Sequence, residues 1–526
     1  MQRPLLLNGF MASGKSTLGR AVAEQTGRDF IDLDQRIEAQ AAMSISEIFA
    51  QHGEAEFRRL EAFELDTVLA RPGPAVVGVG GGALLARARR LRAIDLAVVV
   101  TLDAGVDEIL RRAQETPGSR PLLAGAGARD RVEALLELRA PAYAECHARL
   151  ATTGRDTAEL ARALIEIWRR DPIGVAAGEQ SYSVQIDASI EASRVAELGR
   201  GASKVLVVSD QNVAPLHAAP LLVALRAVAP VELIELPAGE VHKTLASAEA
   251  IWKRASASGA DRSSLFVGLG GGVVTDVAGF AAAGWMRGVP WIALPTTLLS
   301  MVDASVGGKT AVDLGQAKNC VGAFWQPRGV FCDVSYCSTE PARGLSALSE
   351  VVKTALIGDP PLLDYLERHS ERIKARDPEV TRELVRRSVR VKARIVGEDA
   401  RETGMRAALN LGHTLGHALE SVAGFERLSH GEAISLGLVA ALRLGQRLGV
   451  TPAALVQRVA SLLARLGLPT DLASEPLETA VELVALDKKR RGSHVKFVLV
   501  RDAGSIEFLP IELTELTRRV PELRAG

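Results

Sequence analysis

The 526-residue chain is too long for one ordinary hydrophobic core, so its length predicts two to four domains. Its 63 basic and 63 acidic side chains cancel, which argues against a surface whose main task is to bind nucleic acid or another polyanion. Apolar residues make up 47% of the chain, but charges interrupt every apolar run before the ~20 residues that cross a bilayer, so we expect a soluble protein.

The start of the chain and its cysteines both indicate the cytoplasm. MQRPLLLNGF runs directly into a strand-like segment, with no apolar signal region and no cleavage site. The four cysteines form no C-x-x-C pair and are too few for a disulfide framework. We expect reduced, buried thiols at Cys146, Cys320, Cys332 and Cys337.

The first motif is a phosphate-binding loop. Apolar residues 4–8 lead into GFMASGKST, a complete G-x-x-x-x-G-K-S match that begins at Gly9 and stands between a strand-like and a helical segment. In such a loop, backbone N–H groups cradle phosphates, the lysine reaches the outer phosphates and the serine can bind Mg²⁺. Lys15 and Ser16 are the candidates, and a chance Gly/Ser turn is the alternative.

Charged residues recur through the next hundred positions. Asp32 and Asp34 alternate with apolar residues at the end of a strand-like run, so both carboxylates project to one side; a helix N-cap is the alternative for either one. Further on come Arg58 in GEAEFRRLE, a glycine triplet at 80–82, Arg120 in SRPLL and Arg139 in ELRAPAY. A single arginine of this kind is by default a solvated surface charge.

Together with the phosphate loop, these residues resemble shikimate kinase over residues 1–165. The resemblance implies that Asp34 and Lys15 are catalytic, that Ser16 and Asp32 lie at Mg²⁺, and that residues 117–127 form a lid. It also implies an ATP site made of Ala12, Ser13, Gly14, Lys15, Ser16, Thr17 and Arg120, and a shikimate site made of Asp34, Arg58, Gly81 and Arg139. Ala12 stands where the family frequently has glycine. We expect a negative φ at this position, because alanine is unfavourable at a positive φ.

A helical pattern at 157–170 ends this part, and DPIGVAAG at 171–178 has the proline and glycine content of a linker. Strands then alternate with helices, which predicts a parallel, Rossmann-like α/β sheet, and from about residue 343 the pattern becomes helical. The fold class is therefore α/β, with a P-loop domain, a Rossmann-like domain and an all-α C-terminal domain. The expected limits are 1–170, a linker at 171–178, 179–342 and 343–526.

The stretch from 268 to 313 has the richest chemistry. A glycine triplet follows the apolar run 265–267, where backbone could approach a pyrophosphate, although a structural turn is the alternative. A second glycine pair is flanked by Asp303 and Lys309. The stretch therefore predicts a site for an anionic substrate next to a dinucleotide.

A polar stripe marks the helical part. At 100° per residue, Glu402, Arg406, Asn410, His413 and His417 fall within one arc of about 80°, so one continuous helix is expected. A polar stripe among leucines costs free energy unless it is paired or metal-bound, and His-x-x-x-His on one face suits a metal. His430 offers a third imidazole, and the spacing alone does not say which histidines bind.

Residues 178–510 resemble 3-dehydroquinate synthase, whose GGGVxxD, PTTLL and VDxSVGGKT patterns recur here, with Thr275 where that family usually has glycine. The resemblance implies catalytic roles for Asp303, Lys309, Glu402 and His417, and a Zn²⁺ or Co²⁺ site of Glu350, His413 and His430. The implied NAD contacts are Asp210, Asn212, Glu240, Lys243, Gly271, Gly272, Val273, Val274, Thr275, Asp276, Thr296, Thr297, Lys309 and Lys318. The implied substrate contacts are Arg287, Lys309, Lys353, Lys392, Arg406, Asn410, His417 and Lys489. For Glu240 and Lys243 alone, an exposed helix pair is the alternative.

The two resemblances imply a bifunctional enzyme of aromatic amino-acid biosynthesis. One part would phosphorylate shikimate with ATP and Mg²⁺, and the other would cyclise 3-deoxy-D-arabino-heptulosonate 7-phosphate to 3-dehydroquinate with NAD, a divalent metal and phosphate release. The expected partners are these small molecules, with no nucleic acid and no membrane, and a homo-oligomer through the synthase part is compatible with them. A metal-dependent polyol dehydrogenase in the second part and a nucleotide-sensing module in the first are the alternatives.

Overall fold

The computed structural model describes residues 3–114, 127–315, 317–424, 427–484 and 494–524. The chain forms two compact units, Met1–Gln185 and Ile186–Gly526. No helix among the described residues is both long enough and apolar enough to span a membrane. All four cysteines are unpaired; Cys146, Cys332 and Cys337 are buried as expected, whereas Cys320 is exposed because it lies on a two-stranded ribbon.

The first unit alternates strands and helices. Its strands are β1 (Leu5–Gly9), β2 (Phe30–Asp32), β3 (Val76–Gly78), β4 (Val98–Asp103), β5 (Ala148–Ala151), β6 (Ile173–Val175) and β7 (Tyr182–Asp187), which ends just beyond the unit. Its helices are α1 (Lys15–Thr26), α2 (Leu33–Ala41), α3 (Ile45–Ala70), α4 (Arg87–Leu96), α5 (Val106–Gln114), α6 (Ala128–Ala144) and α7 (Thr157–Arg170).

A parallel sheet in the order β2-β3-β1-β4-β5 forms the centre of this unit. The Leu-Leu-Leu run of β1 and the Val-Val-Val run of β4 are fully buried, because alternate side chains pack into clusters on opposite faces of the sheet. The sequence prediction of a parallel P-loop sheet with flanking helices is confirmed. The carboxyl ends of β1 and β2 carry the phosphate loop and the first pair of aspartates.

The segment expected to be a linker contains a buried strand. Within residues 171–178, β6 pairs antiparallel with β7, and Ile173 lies opposite Val184. Arg3 forms an ion pair with Asp171 at 2.7 Å and donates to the carbonyl of Pro172 at 2.6 Å, which ties the segment to the start of the chain. The domain limits stay a prediction, but these residues are ordered structure, and β6 is not one of the strands of the five-stranded sheet.

The second unit begins with an α/β part and continues into a mainly helical part. Its strands are β8 (Val205–Asp210), β9 (Val231–Leu236), β10 (Leu265–Gly270), β11 (Trp291–Pro295), β12 (Lys309–Leu314), β13 (Ala317–Phe324), β14 (Gly329–Asp333), β15 (His494–Asp502) and β16 (Ser505–Glu512). Its helices are α8 (Ala192–Leu198), α9 (Ala214–Arg226), α10 (Leu245–Ala257), α11 (Gly272–Gly284), α12 (Leu348–Gly358), α13 (Pro361–Lys374), α14 (Pro378–Glu398), α15 (His413–Val422), α16 (His430–Arg447), α17 (Ala453–Arg465), α18 (Leu477–Val484) and α19 (Leu513–Arg524).

Parallel pairing runs through β14-β11-β10-β8-β9, which confirms the predicted Rossmann-like sheet. An antiparallel ribbon, β12–β13, follows β11 in the chain. It carries Lys309 of the predicted substrate site and Lys318 of the predicted NAD site. The C-terminal part is helical as expected, and it also contains the antiparallel hairpin β15–β16, which the sequence analysis did not anticipate.

The prediction of one continuous helix through 402–417 is wrong. Residues Met405–Asn410 form a 3-10 turn, and α15 begins only at His413, after Gly412 with φ of 78°. The cause is the close approach of α16: a Cβ built at Gly437 would lie 2.0 Å from the carbonyl oxygen of Gly412. Tertiary packing therefore overrides the helical periodicity, and the polar residues converge from three segments instead of one face.

Candidate active sites

The phosphate loop connects β1 to α1. Gly14 is the N-cap of α1, so Lys15 and Ser16 stand in its first turn. The first-turn N–H groups of a helix point away from its hydrogen-bond ladder and can bind an anion. Ala12 has a φ of 62°, which corrects the expectation of a negative value; an L-residue in this left-handed region costs about 1–2 kcal/mol. The loop lines a cavity of about 700 Å³, in which Asp34 and Gly81 also take part.

Lys15 and Ser16 contact groups that suit a nucleotide site. Lys15 Nζ donates to the carbonyls of Gly9 and Phe10 at 2.9 and 2.8 Å, so the ammonium group is held above the loop. Ser16 Oγ donates to Asp32 Oδ2 at 3.0 Å, although the two residues lie on different elements. Asp32 is also the N-cap of α2, where it accepts from the N–H of Asp34, so the helix-cap interpretation is confirmed and its place at Mg²⁺ stays a prediction.

Asp34 is a buried carboxylate of this cavity whose pKa is raised. Burial, with the nearby charge of Asp32, raises its pKa to about 6, while Lys15 acts in the opposite direction. An acid with a pKa in this range can accept a proton near neutral pH. The environment of Asp34 therefore suits a general base.

Two arginines stand where an anionic substrate could be held. Arg58 donates to the buried carboxylate of Glu61 at 2.8 Å and to the exposed Glu54 at 3.2 Å, and a Cβ at Gly82 would lie 2.6 Å from Arg58 Nη1. Arg139 Nη1 donates to the carbonyl of Gly81 at 3.3 Å. The sequence analysis missed Glu61, because a glutamate in a helical run is ordinarily a surface residue.

Other arginines complete the cavity. Arg112 donates to the carbonyl of Ala12 at 3.3 Å and to Glu108 at 2.7 Å, and it lines the cavity with Arg155. Neither residue was among the predicted contacts, since nothing in their spacing links them to the loop. Arg120 and the predicted lid through 126 lie outside the described residues.

The second candidate nucleotide site lies at the carboxyl edge of the second sheet. Gly271 is the N-cap of α11, and the implied contacts Gly272, Val273, Val274, Thr275 and Asp276 form the first turns of that helix. The hydroxyl of Thr275 donates back to the carbonyl of Gly272 at 3.1 Å and is buried, so it faces its own helix and not the mouth of the loop. Thr296 Oγ1 is buried and has no hydrogen-bond partner among the described residues.

Lys243 links three segments at this edge. Its Nζ lies 2.5 Å from Asp276 Oδ2 and 2.5 Å from Asn319 Oδ1. Burial raises the pKa of Asp276 to about 6, against the opposing charge of Lys243. The exposed-pair alternative for Lys243 is therefore wrong, because its ammonium group is buried.

The remaining implied NAD contacts surround the same edge. Asp210 ends β8 and accepts from the N–H of Asn212 at 2.8 Å, and Thr297 accepts from the N–H of Ser300 at 3.2 Å. Glu240 stands in the short 3-10 turn Glu240–His242, and Lys318 lies 3.5 Å from it.

Glu350, His413 and His430 meet at one point, although they come from α12, α15 and α16. Glu350 Oε1 is buried, accepts no hydrogen bond from the described residues, and lies 3.4 Å from Nε2 of both histidines. His417 joins the two histidines in a cluster whose ligand atoms lie within 4.8 Å of one another, but it is exposed and forms no such contact with Glu350.

The second nitrogen of each ring has an acceptor. His413 Nδ1 lies 3.1 Å from the carbonyl of Leu411, and His430 Nδ1 lies 3.2 Å from Glu420 Oε2. A proton on each Nδ1 leaves both Nε2 lone pairs directed toward Glu350. Burial favours the neutral acid at Glu350, but Lys353 and the two histidines hold its pKa well below the usual range.

A group of cations surrounds this cluster. Lys353 forms an ion pair with Glu350, and Lys392 forms one with Asp303 and also donates to the Asp303 carbonyl at 2.5 Å. Burial opposes ionisation of Asp303, yet Lys392 and Lys353 lower its pKa to about 2. The site therefore holds several positive charges in a water-poor environment, as an anionic substrate requires.

Arg406 and Glu402 complete the group. Arg406 is buried and donates to the carbonyl of Gly307 at 3.1 Å. Glu402 accepts from Asn410 at 2.8 Å and forms an ion pair with Lys309. Arg287 makes no hydrogen bond or ion pair with these groups in the described part of the chain, and Lys489 lies outside the described residues.

Three family models match the chain. Residues 11–169 match shikimate kinase, residues 233–347 match 3-dehydroquinate synthase N-terminal, and residues 347–490 match 3-dehydroquinate synthase C-terminal. A curated relative, the 3-dehydroquinate synthase of Halorhodospira halophila, is 43% identical over 343 residues, which are 64% of this chain and 96% of the relative.

Solved structures share the second part of the fold. A 2-deoxy-scyllo-inosose synthase complexed with carbaglucose-6-phosphate, NAD⁺ and Co²⁺ is 26% identical with a TM-score of 0.61, and the match covers 68% of this chain and 100% of that one. The 2-epi-5-epi-valiolone synthase of Streptomyces hygroscopicus, with NAD⁺ and Zn²⁺ bound, is 27% identical with a TM-score of 0.57, over 62% of this chain and 92% of that one. The chain therefore belongs to the 3-dehydroquinate synthase family and carries a shikimate kinase unit ahead of its synthase part.

Proposed function

We propose that the two clusters described above are the two active sites of a bifunctional shikimate-pathway enzyme. The first unit phosphorylates shikimate with ATP, and the second converts 3-deoxy-D-arabino-heptulosonate 7-phosphate into 3-dehydroquinate and phosphate. The observation that carries the synthase assignment is the convergence of Glu350, His413 and His430 beside the lysines that pair with Glu350 and Asp303.

In the kinase site, the loop N–H groups and Lys15 receive the phosphates of ATP, and Mg²⁺ at Ser16 and Asp32 would neutralise their charge. Arg58 and Arg139 hold the shikimate carboxylate, with Gly81 between them. Asp34 accepts the proton of the attacking hydroxyl, for which its raised pKa suits it. Arg120 belongs to this proposal through the family resemblance alone.

The donor set of the second site fits a divalent metal. Two ligand atoms that each lie ~2.1 Å from a tetrahedral ion are about 3.4 Å apart. Glu350 Oε1 stands 3.4 Å from each of the two Nε2 atoms, and it is a buried oxygen without a hydrogen bond among the described residues. One carboxylate and two imidazoles suit Zn²⁺ or Co²⁺, with positions left for substrate oxygens.

The metal would supply polarisation of a substrate hydroxyl, and NAD would supply a hydride acceptor that is restored within each turnover. NAD would lie along the glycine turn at Gly271 and the first turns of α11, with Lys243 and Lys318 beside it. Lys353, Lys392 and Arg406 bind the carboxylate and phosphate ends of the substrate, so that its reacting carbons stay oriented through several steps. Glu402 and Lys309 form a hydrogen-bonded pair that can hold or move a proton at a substrate oxygen.

The proposal is tested by following phosphate release together with the absorbance of reduced nicotinamide. We expect phosphate and 3-dehydroquinate in equal amounts, with NAD required and no net NADH. Dialysis against a chelator should abolish this activity, and Zn²⁺ or Co²⁺ should restore it, whereas Mg²⁺ alone should restore the kinase activity of the same preparation.

Two outcomes would contradict the assignment. Stoichiometric NADH accumulation would favour the polyol dehydrogenase alternative. Full synthase activity after verified metal removal would exclude the metal role of His413 and His430.

A further inference from the structure

Glu420 is a buried carboxylate beside the histidine cluster that none of the roles above uses. It lies on α15 and is 5% exposed. Its Oε2 lies 3.2 Å from His430 Nδ1, and its Oε1 accepts a hydrogen bond from Lys318 Nζ at 2.9 Å. Glu420 therefore stands between a candidate metal ligand and a lysine of the β12–β13 ribbon.

We propose that Glu420 is a positioning residue of the metal site: it accepts a hydrogen bond from the Nδ1–H of His430 and so directs the Nε2 lone pair toward Glu350. The inference rests on the metal site proposed above. A neutral imidazole carries its proton on one nitrogen, and only the other nitrogen can bind a metal. A carboxylate beside Nδ1 fixes the proton there, holds the ring plane and makes Nε2 a stronger donor.

His413 provides an internal comparison. Its Nδ1 faces the neutral carbonyl of Leu411 at 3.1 Å, whereas the Nδ1 of His430 faces an ionised group. Hydrogen bonds to ionised acceptors are roughly twice as strong as those between neutral groups. Both histidines are the first residues of their helices, α15 and α16, so the two imidazoles differ in the acceptor at Nδ1 and not in their place on a helix.

Lys318 offsets the desolvation cost of the buried Glu420 carboxylate, because a carboxylate removed from water needs a cation beside it. Lys318 is partly exposed, and its Nζ also lies 3.5 Å from Glu240 in the 3-10 turn Glu240–His242. A chain of polar contacts therefore joins Glu240, Lys318, Glu420 and His430. Changes at Lys318 should reach the metal through Glu420.

The test is a Co²⁺ titration of the metal-stripped, full-length protein, with a chelator as competitor and the visible absorption of bound Co²⁺ as the signal. Glu420→Gln keeps the shape and removes the charge, and it should bind Co²⁺ about 10- to 100-fold more weakly than the wild type. Glu475→Gln is the matched control, since Glu475 is similarly buried at 7% exposure but is paired with Arg427 and not with a histidine. Its Co²⁺ affinity should equal that of the wild type.

Thermal unfolding of the metal-free proteins separates positioning from a general structural role. A lower melting temperature of metal-free Glu420→Gln, combined with an unchanged Co²⁺ affinity of the folded protein, would overturn the inference. Lys318→Met should weaken Co²⁺ binding several-fold, and combined with Glu420→Gln it should add nothing further.

Lys318→Met also decides the question if Glu420→Gln does not fold, and an unchanged affinity in it would then count against the inference. A wild-type protein that takes up no Co²⁺ would overturn the proposed metal site itself, which distinguishes the two failures.

Discussion

Lys15 places a single positive charge over the phosphate loop of the first unit, where its Nζ lies 2.9 and 2.8 Å from two loop carbonyls. Lys15→Ala removes that charge. We expect shikimate phosphorylation to fall at least about 100-fold, the loss typical of one preorganised donor at a developing charge. The rate of shikimate 3-phosphate formation measures the effect, and 3-dehydroquinate formation by the same preparation is the control. A rate within about tenfold of the wild type would contradict the role.

Arg58 offers a sharper test at the same scale, because it has one buried and one exposed carboxylate partner. The Glu61 side chain is 1% exposed and the Glu54 side chain 68% exposed. Glu61→Gln should release the guanidinium and raise the KM for shikimate about tenfold with a smaller change in kcat, since breaking a buried pair costs far more than breaking an exposed one. Steady-state kinetics measure this, and Glu54→Gln should behave like the wild type. Equal KM values in the two variants would show that Glu61 does not position Arg58.

The sequence identified candidate site residues that belong to a motif, but it did not identify residues whose role depends on burial in the folded protein. The spacing of the phosphate loop identified Lys15 and Ser16 as candidates. In the structure Lys15 donates to loop carbonyls and Ser16 donates to Asp32. Glu61 and Glu420 were missed because a glutamate in a helical run is usually solvated. Only the packed structure shows that these two carboxylates are buried against cationic or imidazole partners.

At the scale of elements, the alternation of strands and helices in the two parallel sheets follows from periodicity and turn residues, and α7 has the predicted limits of 157 and 170. Strand β6 and the hairpin β15–β16 were not predicted. The helix expected through 402–417 does not follow. Its polar residues satisfy the 100° step, but Gly412 adopts a left-handed conformation where α15 passes close to α16. Local periodicity contains no information about a neighbouring helix that arrives from later in the chain.

Gly412 should therefore be the critical position of this region. Gly412→Ala must adopt a φ of 78° and would bring a Cβ to 3.0 Å from the backbone nitrogen of Leu438. The left-handed conformation costs about 1–2 kcal/mol and overpacking about 1–3 kcal/mol more. Urea unfolding of the metal-free protein should show this sum, and Co²⁺ affinity should fall because His413 is the next residue.

Gly424 provides the control for Gly412. Its φ is 66°, but a Cβ there would meet nothing within 4 Å. Gly424→Ala should cost only the conformational part, about 1–2 kcal/mol, and should leave Co²⁺ affinity unchanged. If the two alanine variants lost the same free energy of unfolding, the packing against α16 would not be what sets this turn.

At the scale of the whole molecule, composition predicts a junction at residues 171–178, and the two compact units divide between Gln185 and Ile186. The proline and glycine of 171–178 resemble a linker, yet β6 occupies residues 173–175 and pairs with β7. Composition cannot separate a short buried strand from a linker, because the difference lies in long-range contacts such as that between Arg3 and Asp171. The shikimate kinase model ends at residue 169, so the additional strand lies beyond the part that matches that family.

This strand predicts where the chain can be divided. A fragment ending at residue 170 loses Ile173 and Val175, which are 4% and 1% exposed, together with the ion pair of Arg3. Burial of each apolar side chain contributes about 1.5–3 kcal/mol, so the fragment 1–170 should be about 3–6 kcal/mol less stable than the fragment 1–187. The melting temperature should differ by on the order of 10 °C, and only the longer fragment should retain full shikimate phosphorylation at 37 °C.

Ile173→Ala in the fragment 1–187 tests the cause of that difference. It removes one buried side chain and leaves the strand in place, so its melting temperature should lie between those of the two fragments. Scanning calorimetry of the three proteins measures the order. If the fragment 1–170 melted at the same temperature as the fragment 1–187, residues 171–178 would contribute nothing to the stability of the fragment. The predicted domain boundary at residue 170 would then be supported.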